Sequence, residues 1–170
     1  SESVKNTICE NPKYSEFLHL PHGLNGYFDY EQALKCAREQ NKPLFIDFTG
    51  HGCTNCREME AVVWSDPEVL KRLKNDFVVV ALYVDDKTLL PESEWITSRY
   101  DGKVKKTIGK KNADLQIINA VNEAANRGAP AQSIADAFIQ YAEAAYNCQL
   151  ATFYLVDSDR KNLELQSISL

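Results

Sequence analysis

Two short apolar runs, residues 44–48 and 77–84, place the strongest constraint on the fold of this chain. The second run is continuous and rich in β-branched residues, which is typical of a central strand covered on both faces. Between the runs, Met59, Val62 and Val63 recur at helical spacing. The order strand, helix, strand predicts a parallel βαβ unit with a right-handed crossover.

Two helix starts can be located from their capping residues. Asp29, with Gln32 three residues later, resembles an N-cap and predicts a helix over residues 30–40. The sequence from Ser65 to Pro67 resembles a second N-cap with proline at the first helical position. We therefore expect the chain to bend at Ser65 and to begin a new helix there.

The first strand is followed by the cysteine pair Cys53 and Cys56. We expect Cys53 in the first turn of a helix, where unpaired backbone N–H groups and the helix dipole stabilise a thiolate. Cys56 follows about one helical turn later and could attack a mixed disulfide formed at Cys53. The pair therefore predicts an attacking and a resolving thiol, in preference to two buried structural thiols.

A metal site is the alternative interpretation of this pair. A zinc ribbon needs a second C-x-x-C pair, and the sequence has none. His51 and Cys148 could nevertheless complete a four-ligand set with the pair. His51 could instead donate a hydrogen bond to the thiolate or face solvent. Cys9 and Cys36 lie away from the motif and are interpreted as structural or incidental.

Composition and charge exclude several classes of function. The chain is 44% hydrophobic and 25% charged, which is typical of a soluble globular protein. A net charge of -5 without a dense basic cluster argues against a nucleic-acid partner. No apolar run is long enough for direct membrane insertion, and no signal-peptide pattern begins at Ser1. Five cysteines leave at least one thiol unpaired within a monomer.

Residues 21–117 resemble the C-terminal thioredoxin-like domain of the thiol:disulfide interchange protein DsbD. The resemblance rests on four segments: PHGLNGYFDYEQAL, KPLFIDFTGHGCTNCREMEAVVWSDPEV, VALYVDDKT and YDGKVKKTIGKKNADLQI. It implies a periplasmic protein-disulfide reductase that uses no cofactor and no metal. Its expected partners are a membrane-embedded electron-donor domain and the thiols and disulfides of other proteins. By the same resemblance Cys53 is the nucleophile, Cys56 the resolving thiol, and Asp47 and Glu60 are acids that modulate the pair.

The two acids can also be interpreted from their surroundings. Asp47 lies within the first apolar run, so burial should raise its pKa and prepare it to relay a proton. The alternative is an acid that points outward from an edge strand. Glu60 lies one helical turn beyond Cys56, and its negative charge would oppose thiolate formation. The alternative for Glu60 is a solvated helix face.

The resemblance weakens in the last third of the chain. Thioredoxin-like folds place a cis-proline before the strand that faces the cysteine pair, and here Thr152 occupies the position expected for that proline. The substrate-docking edge is therefore expected at Ala151 and Thr152. A non-proline residue favours a trans or strained peptide bond there.

The expected architecture is an α/β, thioredoxin-like fold with a central mixed sheet flanked by helices. Residues 1–26 form an irregular N-terminal arm, and residues 27–170 form the domain. Within that domain, residues 117–147 are an atypical helical insertion or the start of a second module, with helices over residues 117–125 and 133–146.

A β-hairpin is expected after the insertion, from strands 153–157 and 163–168. The two helices and this hairpin also resemble the opening part of a GAF-type sensor domain. The alternative function is accordingly a metal- or small-ligand-binding module that uses the dithiol or the GAF-like segment.

Overall fold

The computed structural model describes residues 8–99, 101–126, 136, 152–156 and 163–168. The chain divides into two compact units, Ser1–Lys87 and Thr88–Leu170. The first unit has three α-helices, a π-helical segment and two strands, in this order: α1 (Tyr30–Gln40), β1 (Leu44–Thr49), α2 (Thr54–Met59), the π-helical segment (Glu60–Trp64), α3 (Pro67–Asn75) and β2 (Val78–Tyr83).

The predicted parallel pairing of the two strands is confirmed. β1 and β2 pair in parallel along their whole length, and all six residues of β2 are buried. On the other edge of β2, Tyr27 donates its backbone N–H to Val79 O at 2.9 Å, and Ala81 donates to Tyr27 O at 2.9 Å. β2 is therefore the central strand, as its continuous apolar sequence predicts.

Both predicted helix starts are confirmed by their capping bonds. The Asp29 carboxylate accepts a hydrogen bond from the backbone N–H of Gln32 at 3.0 Å, and α1 runs over the predicted residues. The Asp66 carboxylate accepts from Glu68 at 2.9 Å, and Pro67 is the first residue of α3. These side chains satisfy N–H groups that a helix end leaves unpaired.

The N-terminal arm is irregular but packed against the unit. Residues 8–26 form turns without a helix or strand. Leu18 and Leu24 are nevertheless buried and belong to the core. At Gly26 a Cβ atom would lie 2.4 Å from Val79 O, so only glycine permits this close approach of the arm to β2.

A disulfide bond between Cys9 and Cys36 ties the arm to α1. Cys9 also donates its backbone N–H to the Tyr27 hydroxyl at 2.8 Å. Cys36 is buried, whereas Cys9 is exposed. This pairing could not be predicted from the sequence, because 27 residues separate the two cysteines and neither belongs to a recognisable motif.

Among the described residues, two apolar clusters pack around β2. The first consists of Leu18, Phe28, Ala81 and Tyr83, and the second of Leu24, Trp64, Leu73 and Val79. Trp64 ends the π-helical segment, and its ring meets that of Phe45 edge to face at 5.8 Å. The second cluster thereby anchors the helix that carries the cysteine pair to β1 and β2.

The described part of the second unit contains one long helix and two strand pairs. Its elements are β3 (Ile96–Thr97), β4 (Val104–Lys105), α4 (Ile108–Asn126), β5 (Thr152–Val156) and β6 (Leu163–Ile168). Both strand pairs, β3 with β4 and β5 with β6, are antiparallel. The described strands of the whole chain thus pair as three two-stranded sheets.

The hairpin prediction is confirmed by β5 and β6. The first helix predicted for the insertion is real, but α4 begins at Ile108 instead of residue 117. Its first two turns are mostly polar and contain Gly109, so they lack the apolar periodicity on which the prediction rested. The second predicted helix lies outside the described residues except for Asp136, which is helical.

Candidate active site

The cysteine pair lies where the sequence predicts it, between the end of β1 and the start of α2. Cys53 is the N-cap residue of α2, and its Sγ accepts a hydrogen bond from the backbone N–H of Cys56 at 3.2 Å. The two cysteines form a disulfide bond, and both are partly exposed. An amide that donates to Cys53 Sγ at a helix start stabilises negative charge on that sulfur.

The loop before Cys53 is fixed by an acid from the end of β2. Asp85 accepts hydrogen bonds from the backbone N–H groups of His51, at 2.8 Å, and Gly52, at 3.0 Å. A Cβ atom at Gly50 would lie 2.8 Å from Asp85 Oδ2, so any other residue there would have to displace this carboxylate. Asp85 was not predicted as a site residue, although parallel strands bring their carboxyl ends to one edge of the sheet.

His51 faces solvent on one side, as one of the interpretations from sequence allowed, and is held by the end of β2 on the other. Its Nε2 lies 2.8 Å from Oδ2 of Asp86, and its ring centroid lies 4.7 Å from that of Tyr83. Asp86 is buried, whereas the His51 side chain is about half exposed. The imidazole is therefore held against the end of β2 by a carboxylate and an aromatic ring.

Asp47 has the raised pKa expected from its position in β1. Burial of the carboxyl group raises the pKa of Asp47 to about 6, and the negative charge of Glu60 adds to the increase. The positive charge of Arg57 acts in the opposite direction. Asp47 can therefore bind and release a proton near neutral pH.

Glu60 is buried, so the alternative of a solvated helix face is wrong. Its side chain is 12% exposed, and its Oε2 lies 3.1 Å from Nη1 of Arg57. Its backbone oxygen lies 2.7 Å from Nε2 of His22, which belongs to the N-terminal arm. The π-helical segment begins at this residue, where the helix turns its side chain inward.

Arg57 is a site residue that the sequence analysis missed. Besides Glu60, its guanidinium contacts Thr49 Oγ1 at 2.7 Å and Gly50 O at 3.4 Å. A basic residue three positions before a glutamate on a helix could have indicated the ion pair with Glu60. The contacts with Thr49 and Gly50 depend on the fold of the loop and leave no pattern in the sequence.

Two predictions concern residues that this structure does not test. Ala151 lies outside the described residues, and Thr152 begins β5 in the second unit, so their role in substrate docking stays a prediction. Cys148, the possible extra metal ligand, also lies outside them. In the described part of the chain, no group of three or more His, Cys, Asp or Glu side chains is arranged to hold a metal ion.

Comparison with known families agrees with this geometry. Residues 25–105, just under half of the chain, match the Thioredoxin-like family model. These residues form a thioredoxin-like domain. The match includes the cysteine pair, both acids and Arg57. No curated protein matches the chain.

A thioredoxin-like domain with a C-x-x-C pair indicates thiol-disulfide redox activity toward protein thiols and disulfides. The α/β fold class expected from the sequence is confirmed by the match and by the strand-helix-strand unit. No helix among the described residues is long and apolar enough to cross a membrane.

Proposed function

We propose that the chain is a protein-disulfide reductase that passes electrons from a membrane-embedded donor domain to periplasmic thiol proteins, like the DsbD domain that it resembles. The observation that most supports this proposal is the hydrogen bond from the Cys56 N–H to Cys53 Sγ at 3.2 Å. It provides the developing thiolate of Cys53 with a donor at the start of a helix. The pair is also partly exposed, as exchange with another protein requires.

In the first half of the exchange, the Cys53 thiolate attacks one sulfur of a substrate disulfide. The substrate S–S bond breaks, and its other sulfur leaves as a thiolate that takes a proton from water. In the second half, the Cys56 thiolate attacks Cys53 Sγ and releases the remaining substrate sulfur. Two electrons have then moved to the substrate, and the pair has become the disulfide seen in the structure.

Asp47 is the proposed acceptor for the proton of Cys56. With its pKa near 6, Asp47 is mostly ionised at pH 7 and close enough to neutrality to return the proton. A donor dithiol reverses the two exchange steps and restores the reduced pair. The same residue then supplies the proton that Cys56 needs when it leaves as a thiol.

The disulfide between Cys9 and Cys36 supports a location outside the reducing cytosol. Structural disulfides persist in oxidising compartments such as the bacterial periplasm. This bond joins the arm to a buried position on α1, apart from the loop that carries the cysteine pair. A periplasmic domain with one structural and one exchanging disulfide fits the proposed role.

The reduction potential of the Cys53–Cys56 pair tests the activity. In a glutathione or dithiothreitol buffer series, we expect a reversible two-electron couple in the reducing part of the range from about -120 to -270 mV. The Cys53→Ser variant should show no such couple. Absence of a reversible couple in the unmodified chain would overturn the proposed activity.

The proposed electron donor needs a separate test in cells. In a bacterial periplasm that contains the membrane donor domain, alkylation trapping should find the Cys53–Cys56 pair largely reduced. Without the donor domain the pair should accumulate as the disulfide. An unchanged reduced fraction would exclude this donor while leaving the exchange activity itself in place.

A further inference from the structure

Arg57 follows Cys56 directly, and its side chain joins three parts of the first unit. Nη2 lies 2.7 Å from Oγ1 of Thr49, at the end of β1, and 3.4 Å from Gly50 O, at the start of the loop. Nη1 lies 3.1 Å from Oε2 of Glu60 in the π-helical segment. Thr49 and Glu60 are both buried, whereas the Arg57 side chain is 45% exposed.

These contacts close the segment that contains the cysteine pair. Gly50 O also accepts the backbone N–H of Cys53 at 3.3 Å, and Cys53 O accepts the N–H of Arg57 at 3.2 Å. None of these bonds involves the disulfide. Opening the S–S bond therefore does not by itself remove any of these contacts between Gly50 and Arg57, and Arg57 supplies the charged group among them.

Arg57 also balances the charges around Asp47. Burial contributes most to the raised pKa of Asp47, the charge of Glu60 adds to it, and the charge of Arg57 opposes it. Loss of the guanidinium would leave Glu60 as a buried carboxylate without its ion-pair partner. The missing positive charge and the unpaired Glu60 carboxylate both disfavour ionisation of Asp47, so both raise its pKa.

We propose that Arg57 is a positioning residue of the Cys53–Cys56 centre, which fixes the Glu60 carboxylate against the end of β1 and so sets the charges around Asp47, the proposed proton acceptor. The inference rests on the proposed function, because the proton at issue is the one that Cys56 loses during exchange. Arg57 itself touches neither sulfur nor substrate in this role.

Titration of the Asp47 carboxyl group by carbon-13 NMR in the oxidised protein tests this inference directly. In Arg57→Gln we expect the midpoint to rise from about 6 by about half a pH unit or more. The matched control is Arg72→Gln, because Arg72 is an exposed arginine that pairs with Asp76 at 3.9 Å on α3. It removes the same charge elsewhere in the unit and should leave the midpoint unchanged.

Arg57→Lys provides a second measurement if Arg57→Gln does not fold. Lysine keeps the charge but cannot form all three contacts of the planar guanidinium, so the midpoint should rise by less than in the glutamine variant. In Arg57→Gln/Glu60→Gln the midpoint should fall back below that of Arg57→Gln, because the repelling charge is gone. Equal midpoints in Arg57→Gln and the unmodified chain would overturn the inference, as would a shift of the same size in Arg72→Gln.

The exchange rate provides the functional readout. At pH 6, Arg57→Gln should reduce a protein disulfide about two- to threefold more slowly, and the difference should shrink at higher pH as Asp47 ionises. A loss of rate that is uniform across pH would show a merely structural role and overturn the inference. The NMR titration needs no substrate, so it remains decisive for Arg57 even if the unmodified chain has no exchange activity.

Discussion

The described residues contain two disulfide bonds whose surroundings differ. Cys53–Cys56 spans three positions at the start of α2, and both of its residues are partly exposed. The Cys56 amide donates to Cys53 Sγ, and the next residue, Arg57, pairs with Glu60 and opposes the raised pKa of Asp47. Cys9–Cys36 spans 27 positions and joins the arm to the buried side of α1.

The difference shows which properties of a disulfide belong to the bond and which to its surroundings. Both bonds have the same chemistry, yet at Cys53–Cys56 a helix-start amide donates to a sulfur, and Asp47, with a pKa of about 6, is the proposed proton acceptor. At Cys9–Cys36, the side-chain hydrogen bonds to sulfur within the described part of the chain come instead from the neutral amide of Gln40. We therefore expect exchange at the first bond and stability from the second.

The largest expected effect is on exchange activity. Cys53→Ser removes the attacking sulfur and should reduce insulin-disulfide reduction to the uncatalysed background. The double variant Cys9→Ser/Cys36→Ser should keep most of the activity, because that bond lies outside the exchange centre. If the folded double variant lost activity as completely as Cys53→Ser, the separation of roles would be wrong.

The second prediction concerns stability, for which removal of Cys9–Cys36 should have a larger effect than removal of Cys53–Cys56. Removal of the Cys9–Cys36 bond should cost about 3 to 4 kcal/mol of unfolding free energy, because it frees a 27-residue loop in the unfolded chain. Removal of the Cys53–Cys56 bond, which closes only a short loop, should cost about 2 kcal/mol. Urea unfolding of the two serine double variants measures both values, and a larger loss at Cys53–Cys56 would contradict the comparison.

Asp47 should make stability depend on pH in one window only. Its folded pKa, about 6, exceeds the ordinary value of 3.8, so between these values the folded state holds a proton that the unfolded state has lost. The free energy of unfolding should therefore fall by about 1 to 2 kcal/mol as pH rises from about 4 to 6, after allowance for the partial exposure of Asp47. Above pH 6 this contribution should stay level. In Asp47→Asn this decline should be absent, as measured by urea unfolding across pH.

The matched control for this titration is Asp76→Asn, because Asp76 is an exposed acid on the same unit. Asp76→Asn should show the same decline in unfolding free energy between about pH 4 and 6 as the unmodified chain. A decline that persists unchanged in Asp47→Asn would assign the pH dependence to another group.

Local patterns were enough to predict the strand-helix-strand unit and the start of α1. The capping residue Asp29 and the apolar run of β2 act within a few positions, so the sequence displays them directly. The same holds for Cys53 and Cys56, whose spacing is itself the motif. The raised pKa of Asp47 was predictable because burial follows from the apolar run around it.

Contacts between distant segments could not be predicted in this way. Asp85 holds the loop before Cys53 from 34 positions away, and His22 reaches Glu60 from the arm. The Cys9–Cys36 pairing also depends on how the arm folds back over α1. Such contacts are set by tertiary packing, and their residue types alone do not distinguish them from ordinary surface positions.

The smallest expected effect concerns the side chain beside the structural bond. Gln40 Nε2 lies 3.5 Å from Cys9 Sγ and 3.4 Å from Cys36 Sγ, and sulfur is a weak acceptor. Gln40→Ala should therefore cost less than about 1 kcal/mol in urea unfolding and leave exchange unchanged. Gln32→Ala should cost more, because Gln32 is buried and holds the arm through Asn11 O and Lys13 N, both at 2.9 Å. A larger loss of unfolding free energy in Gln40→Ala than in Gln32→Ala would contradict this expectation. It would mean that the Cys9–Cys36 bond also depends on a neighbouring side chain, as Cys53–Cys56 is proposed to depend on Arg57.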